Sequence, residues 1–194
     1  MNELDLVHDI QKVYRKVLDG MARPGKIQDL SNEEVKVSIE VDCYRNTFLA
    51  MLMVLDGEVK FNILDEDNRL KEDIKSLTGA KDSKVDEADY IIATKGCKNI
   101  NEAIKKAKIG TLIDPQKSAT IFIEVNNLSN EQEYVLQGPG IKDKENLKID
   151  ANEEFIYARN ERNKEFPLGI DVILFDEYGK LVCLPRTTVI KKEA

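Results

Sequence analysis

Histidine is almost missing from this chain of 194 residues; His8 is the single one. A multi-histidine metal centre therefore cannot be built, and a Ser-His-Asp triad would have to recruit that one residue without a GxSxG elbow to present the serine. Next to Val7 in an amphipathic stretch, His8 reads as an ordinary helix residue. Cysteine is scarce too: Cys43, Cys97 and Cys183 lie far apart with no CxxC, which excludes zinc-ribbon and thioredoxin patterns and fits a reducing cytoplasm. Cys43 opens an apolar helix and Cys183 sits in an apolar strand, where the thiol acts as a small hydrophobe. Only Cys97, in Lys95-Gly96-Cys97-Lys98, has cationic neighbours that could lower its pKa, and its plainer reading is a turn cysteine. With 10 Gly and 5 Pro, collagen-like and globally disordered chains are excluded.

Long hydrophobic runs are absent as well. The longest, Phe48 to Leu55 (FLAMLMVL), has the length of a core helix segment, short of the roughly 20 residues of a membrane span. The amino terminus has neither a basic nor an apolar leader region, so no signal peptide is expected. Positive charge is in deficit: Lys+Arg 29 against Asp+Glu 36 gives a net charge of −7, with a pI near 5.0. Such a field repels polyanions, so nucleic acid is not an expected partner, and an anionic ligand needs a local cluster of Arg, Lys and backbone N–H groups. Neither GxxxxGK[ST] nor a strand-to-helix GxGxxG occurs, which removes the usual phosphate loops.

What remains is ordinary globular material, 42% hydrophobic and 34% charged, and long enough to bury a core without a metal or disulfide. Leu6, Val7, Ile10, Val13, Tyr14, Val17, Leu18 and Met21 follow the rhythm of one buried helix face, ended at Ala22-Arg23-Pro24-Gly25. A second helix is expected from about Cys43 to Asp56, capped by Asp42 or an adjacent residue. A strand over Val59 to Leu64 precedes a charged helix from Asp65 to Leu77. Tyr90 to Ala93 reads as a buried strand and Ile100 to Lys108 as a lysine-rich helix stopped by Gly110. Ala119 to Val125 and Glu133 to Leu136 read as strands, plausibly an antiparallel pair, with Gly138-Pro139-Gly140 breaking the second. Ala151 to Asn163 is helical in composition. Ile170 to Phe175 and Leu181 to Leu184 form a hairpin across Glu177-Tyr178-Gly179-Lys180, and Pro185 ends the ladder. With no repeat or linker, residues 1–194 are expected to form one α/β domain with a mixed sheet.

Candidate anion or nucleotide contacts lie at element ends. Gly138 and Gly140 flank a bend whose exposed N–H groups could form a nest, against the alternative of a plain turn. Arg23 stands at a helix exit, Arg159 lies in the helix before Phe166-Pro167-Leu168-Gly169-Ile170-Asp171, and Arg186 follows a strand beside Thr187 and Thr188. An arginine fork with two hydroxyls offers directed donors to phosphate or carboxylate. The alternative is that Arg186 pairs with a structural acid such as Asp171 or Glu165. Glu165, Asp171 and Asp176 flank the hairpin; Asp171, an acid in an apolar run, needs a partner, whether structural or functional. No catalytic residue and no metal ligand set is assigned.

Taken together, Tyr14-Arg15 with Met21-Ala22-Arg23-Pro24-Gly25, Gly110-Thr111 with Pro115 and Ala119-Thr120, Gly138-Pro139-Gly140-Ile141, FPLGID (166–171) and LPRTT (184–188) resemble the PhnH family. These are subunits of the bacterial carbon–phosphorus lyase system. The resemblance implies a cytoplasmic protein with a three-layer αβα fold similar to the large domain of PLP-dependent transferases, but without PLP. It implies participation, with PhnG, PhnI and PhnL, in displacing adenine from Mg-ATP by an alkylphosphonate, giving an alkylphosphonate ribose 5-triphosphate. A homodimer and a core complex with PhnG, PhnI and PhnJ are implied as well. One acidic chain with one histidine looks under-equipped for that step alone, so the expected role is a non-autonomous subunit of a transferase; the alternative is a purely structural assembly subunit. Gln116 and Ser118 stand where relatives often carry an acid and a glycine, which weakens any anion or metal contact there, and Tyr14 stands where phenylalanine is usual.

Overall fold

A computed structural model describes residues 6–31, 41–64 and 68–193. Helix α1 (Leu6–Ala22) leads to strand β1 (Gln28–Asp29). Then come α2 (Arg45–Val54), β2 (Lys60–Ile63), α3 (Asn68–Thr78), β3 (Lys81–Asp82) and β4 (Tyr90–Ala93). Next are α4 (Ile100–Lys106), a 3-10 turn at Pro115–Lys117, β5 (Thr120–Val125), β6 (Leu128–Gln137) and β7 (Glu145–Ile149). The chain ends with α5 (Glu154–Arg162), β8 (Asp171–Asp176), β9 (Lys180–Leu184) and β10 (Val189–Lys192).

A seven-stranded sheet in the order β1-β9-β8-β5-β4-β2-β3 forms the centre. Strands β3, β2, β4, β5 and β8 run parallel, while β9 is antiparallel to both β8 and β1, so the sheet is mixed. The chain steps outward from β2 to β3, then the other way through β4, β5 and β8. Right-handed crossovers therefore put α3 on one face and α4 and α5 on the other.

Period-2 alternation splits the strand side chains between those faces. Phe61, Ile63, Ile92, Phe122, Ile173, Phe175, Leu181 and Cys183 meet α1, α2 and α3. Phe122 stacks edge-on against Tyr90 and Phe175, with centroids 5.9 and 5.3 Å apart. Gly20 brings α1 down onto β9, because a Cβ there would stand 2.8 Å from the Cys183 sulfur. On the other face Ile91, Ile121, Ile123, Val172, Leu174, Val182 and Leu184 pack against Ile100, Ala103 and Ile104 of α4, Ala107 at its end, and Phe155 and Ile156 of α5. Each fully buried phenylalanine or leucine in these layers contributes about 2 kcal/mol.

The expected antiparallel pairing of 119–125 with 133–136 is wrong. Strand β5 is parallel to β4 and β8, whereas β6 belongs to a second sheet, β10-β6-β7, packed on the α4–α5 face. A short apolar strand carries no mark of its partner, and β5 is apolar because helices cover both its faces. The cap of the second helix also differs from expectation. That helix starts at Arg45, and Tyr44, at the cap position, makes no side-chain cap bond. Instead the Tyr44 N–H donates at 2.6 Å to the Glu124 carboxylate, 80 residues away on β5, which also accepts the Lys95 N–H at 2.9 Å.

Candidate functional site

Strand β9 ends at Leu184 because Pro185 has no N–H to continue the ladder. The chain then turns through Pro185-Arg186-Thr187-Thr188, closed by the Thr188 N–H on the Pro185 carbonyl at 2.9 Å. A cavity of about 570 Å³ opens beside this turn, against the last turns of α5 and the start of β10. Among its lining residues are Arg159, Arg186, Lys191, Thr187, Thr188 and Asn160, with Phe166, Leu168 and Val189 as its apolar part. Three cations line it and no carboxylate does.

Arg186 is held from several sides. Its Nη2 and Nε donate to Asp171 at 2.6 and 3.3 Å, its backbone N–H donates to the same carboxylate at 2.7 Å, and Nη1 donates to the Pro115 carbonyl at 2.8 Å. The Ser118 hydroxyl accepts a further Nη2 bond. The pair is shielded, with side chains 16% and 14% exposed, so Asp171 has the partner that its apolar strand requires. Glu165 has no part in this pairing.

Arg159 is 1% exposed and spans the turn from below. Its Nη1 donates to the Thr188 carbonyl at 2.8 Å and its Nη2 to the Pro185 carbonyl at 2.6 Å. Burial lowers its pKa to about 10, partly countered by the charge of Asp171, so the guanidinium stays protonated at neutral pH. Carbonyl dipoles replace water around it, yet no carboxylate is bonded to it. The Arg159 Nε and the Thr188 hydroxyl, both buried, have no hydrogen-bond partner among the described residues. Two orphaned polar groups on one cavity wall are unusual, since buried donors are nearly always paired.

Glycines close the corner. Gly138 (φ +141) lies so near the turn that a Cβ would stand 2.8 Å from the Thr187 carbonyl oxygen. Gly140 (φ +84) rests on the Ala22 carbonyl and Pro24, bringing the exit of α1 against the bend. Between the two glycines, Pro139 lines the cavity. Gly169 (φ +147) passes 3.2 Å from the Arg186 Cβ, measured from an ideal Cβ, and Asn163 clasps Ile170 through both backbone groups, at 2.8 and 3.0 Å.

The candidate residues thus divide. Arg159, Arg186, Thr187 and Thr188 line one cavity, Asp171 reaches it through Arg186, and Gly138 and Gly140 shape its edge. Arg23 stands apart from the lining: its side chain is exposed and pairs with Asp19 one turn earlier on α1. Lys191, Asn160 and Asn163 were not singled out from the sequence; spacing on α5 puts Asn160 and Asn163 beside Arg159, but nothing local marked Lys191. The other reactive types are elsewhere. His8 is exposed on α1, and Cys183 is buried with its thiol pushed up to about 12. Among the described residues no three His, Cys, Asp or Glu side chains gather to hold a metal ion, and no helix is long and apolar enough to cross a membrane.

Comparison with known proteins adds the lineage. The pattern of the family described as "Bacterial phosphonate metabolism protein (PhnH)" matches residues 3–191. A relative in Rhizobium meliloti (strain 1021), named alpha-D-ribose 1-methylphosphonate 5-triphosphate synthase subunit PhnH, is 29% identical over 203 aligned positions, covering 97% of this chain and 94% of its own. Another, named "Putative C-P lyase subunit protein HtxG", from Stutzerimonas stutzeri, is 24% identical over 181 residues, covering 93% of this chain and 85% of its own. The match spans both sheets and the residues of the Arg159–Arg186 corner, and the chain belongs to the PhnH family of bacterial phosphonate metabolism proteins.

Proposed function

We propose that this chain is a non-autonomous subunit of the carbon–phosphorus lyase system, acting where an alkylphosphonate displaces adenine from the ribose C1 of Mg-ATP. In this reading its partners are PhnG, PhnI and PhnL for that step and PhnJ in the larger core complex, and the isolated chain is a cytoplasmic homodimer with the transferase-like fold and no PLP. The names of the two relatives support the assignment to such a complex.

What the chain adds is an anion-holding corner. The single observation that carries this is the cavity lined by Arg159, Arg186 and Lys191 without an opposing carboxylate, in a molecule of net charge −7. Just behind the cavity wall the buried Arg159 Nε and Thr188 hydroxyl have no hydrogen-bond partner among the described residues, and a small shift of this turn toward a phosphonate or phosphate oxygen would give them one. Asp171 cancels part of the Arg186 charge and fixes its fork, so Arg159 and Lys191 dominate the field felt by a ligand. Holding one anionic reactant in place converts an encounter between two repelling anions into a local step.

Adenine release from Mg-ATP and methylphosphonate tests the subunit role. The purified chain alone is expected to release none, the partner subunits without it little, and the reconstituted set to turn over. Turnover by the isolated chain rejects the proposal, as does full turnover by the partners without it. Full turnover with Lys191→Glu and Thr188→Val in the reconstituted set would leave the chain a scaffold without an anion site.

A further inference from the structure

A second cavity, of about 340 Å³, lies at the opposite end of the parallel strands, outside the carboxyl ends of β4 and β5. Open α/β sheets bind ligands at this end, where the chain has reversed its direction of winding. Here the reversal falls between β2 and β4, next to the cavity. The floor is apolar, built by Ile100, Ile123, Val125 and Phe155, while the mouth carries the amides of Asn126 and Asn152. Glu124 and Asp150 also line it. The only lining cation, Lys95, is already bound to Glu177 at 3.0 Å and sits over the Tyr44 ring at 5.7 Å.

Charge decides what can enter. Asp150 lines the mouth and the one lysine is already paired with Glu177, so the cavity offers no free cation to a phosphate or phosphonate group, in contrast to the arginine corner. A polyol fits the mouth but leaves an apolar floor unfilled. A planar heterocycle satisfies both parts, with its face on the floor and its edge on the Asn126 amide, which can donate and accept, and on the Asn152 NH2 group, whose own carbonyl oxygen already accepts the Glu154 N–H at 3.0 Å. We infer that this cavity is a binding site for a neutral planar heterocycle of the nucleobase class, independent of the anion corner.

Titrating the full ¹⁵N-labelled chain with free adenine and free uracil tests this, with D-ribose and inorganic phosphate as comparators. A base is expected to shift the amide signals of residues 94–97, 124–126 and 150–152 at millimolar concentration and to leave 185–188 in place. Asn126→Ala, at an exposed position, should weaken that binding tenfold or more, and Ala151→Trp should abolish it by filling the cavity. Absence of shifts with both bases overturns the inference, as do equal shifts with ribose or phosphate, or base binding undiminished by Asn126→Ala. If Ala151→Trp does not fold, Asn126→Ala decides alone. Failure here leaves the arginine corner untouched, because the two sets of signals are separate.

Discussion

Arg186 and Asp171 show how one ion pair can be structural and still matter to a ligand. Both side chains are largely shielded, so removing the acid leaves a guanidinium with little water and half its acceptors gone. Breaking a buried pair costs about 3 kcal/mol. Asp171→Asn is therefore expected to lower the unfolding free energy by about 3 kcal/mol, read as a lower urea midpoint at an unchanged denaturant slope. A midpoint equal to the wild type's would mean that the pair holds nothing. Glu124 makes a different prediction. Burial raises its pKa above the ordinary 4.5, although the Tyr44 and Lys95 N–H groups pull the other way. Between 4.5 and that raised value the unfolded chain has ionised while the folded one still holds the proton, so folding loses stability as pH rises through this window. Exposed acids such as Asp114, Glu87 and Glu177 have lowered values and act in the opposite sense in both proteins. The stability of wild type minus that of Glu124→Gln should then be flat below the window and fall across it; a difference independent of pH would contradict the account.

At the scale of elements, the corner depends on bends that only glycine allows. Gly140 combines φ +84 with contact against the Ala22 carbonyl and Pro24, while Gly96, with the same φ, has nothing within 4 Å of a would-be Cβ. Gly96→Ala should cost about 1 kcal/mol, the penalty of left-handed backbone alone. Gly140→Ala adds a backbone clash and should lower the melting temperature clearly further; equal effects would show that α1 does not bear on the bend. Much of this was legible in the chain. The 3.6-residue rhythm announced α1, Pro24 and Gly25 its end, and IDVILF with LVCL the β8–β9 hairpin. The α4 stop and the strand at Tyr90–Ala93 were legible for the same reason, a pattern closed by a breaker. Two kinds of information were not. Strands as short as β1 and β3, or as charged as β7 and β10, bury too few side chains for a pattern to rise above composition. Pairing is non-local, so β5 and β6, neighbours in sequence, joined different sheets. Glu124 was invisible as a cap because its partners lie 29 and 80 residues away.

For the whole molecule, the two ends of the central sheet carry opposite polarity. The β9 end gathers Arg159, Arg186 and Lys191, and the β4–β5 end gathers Glu124 and Asp150. Net charge alone predicted an aversion to anions; the fold concentrates the minority sign in one place. Segments up to 71 residues apart meet there, which explains why the motif of each, read singly, looked like an ordinary turn. Calorimetric titration of methylphosphonate into the isolated chain tests that concentration of charge most directly. Saturable binding is expected that weakens tenfold or more in Lys191→Glu and in Thr188→Val, and falls as salt rises. No heat of binding in the wild type, or binding unmoved by either substitution, would contradict it.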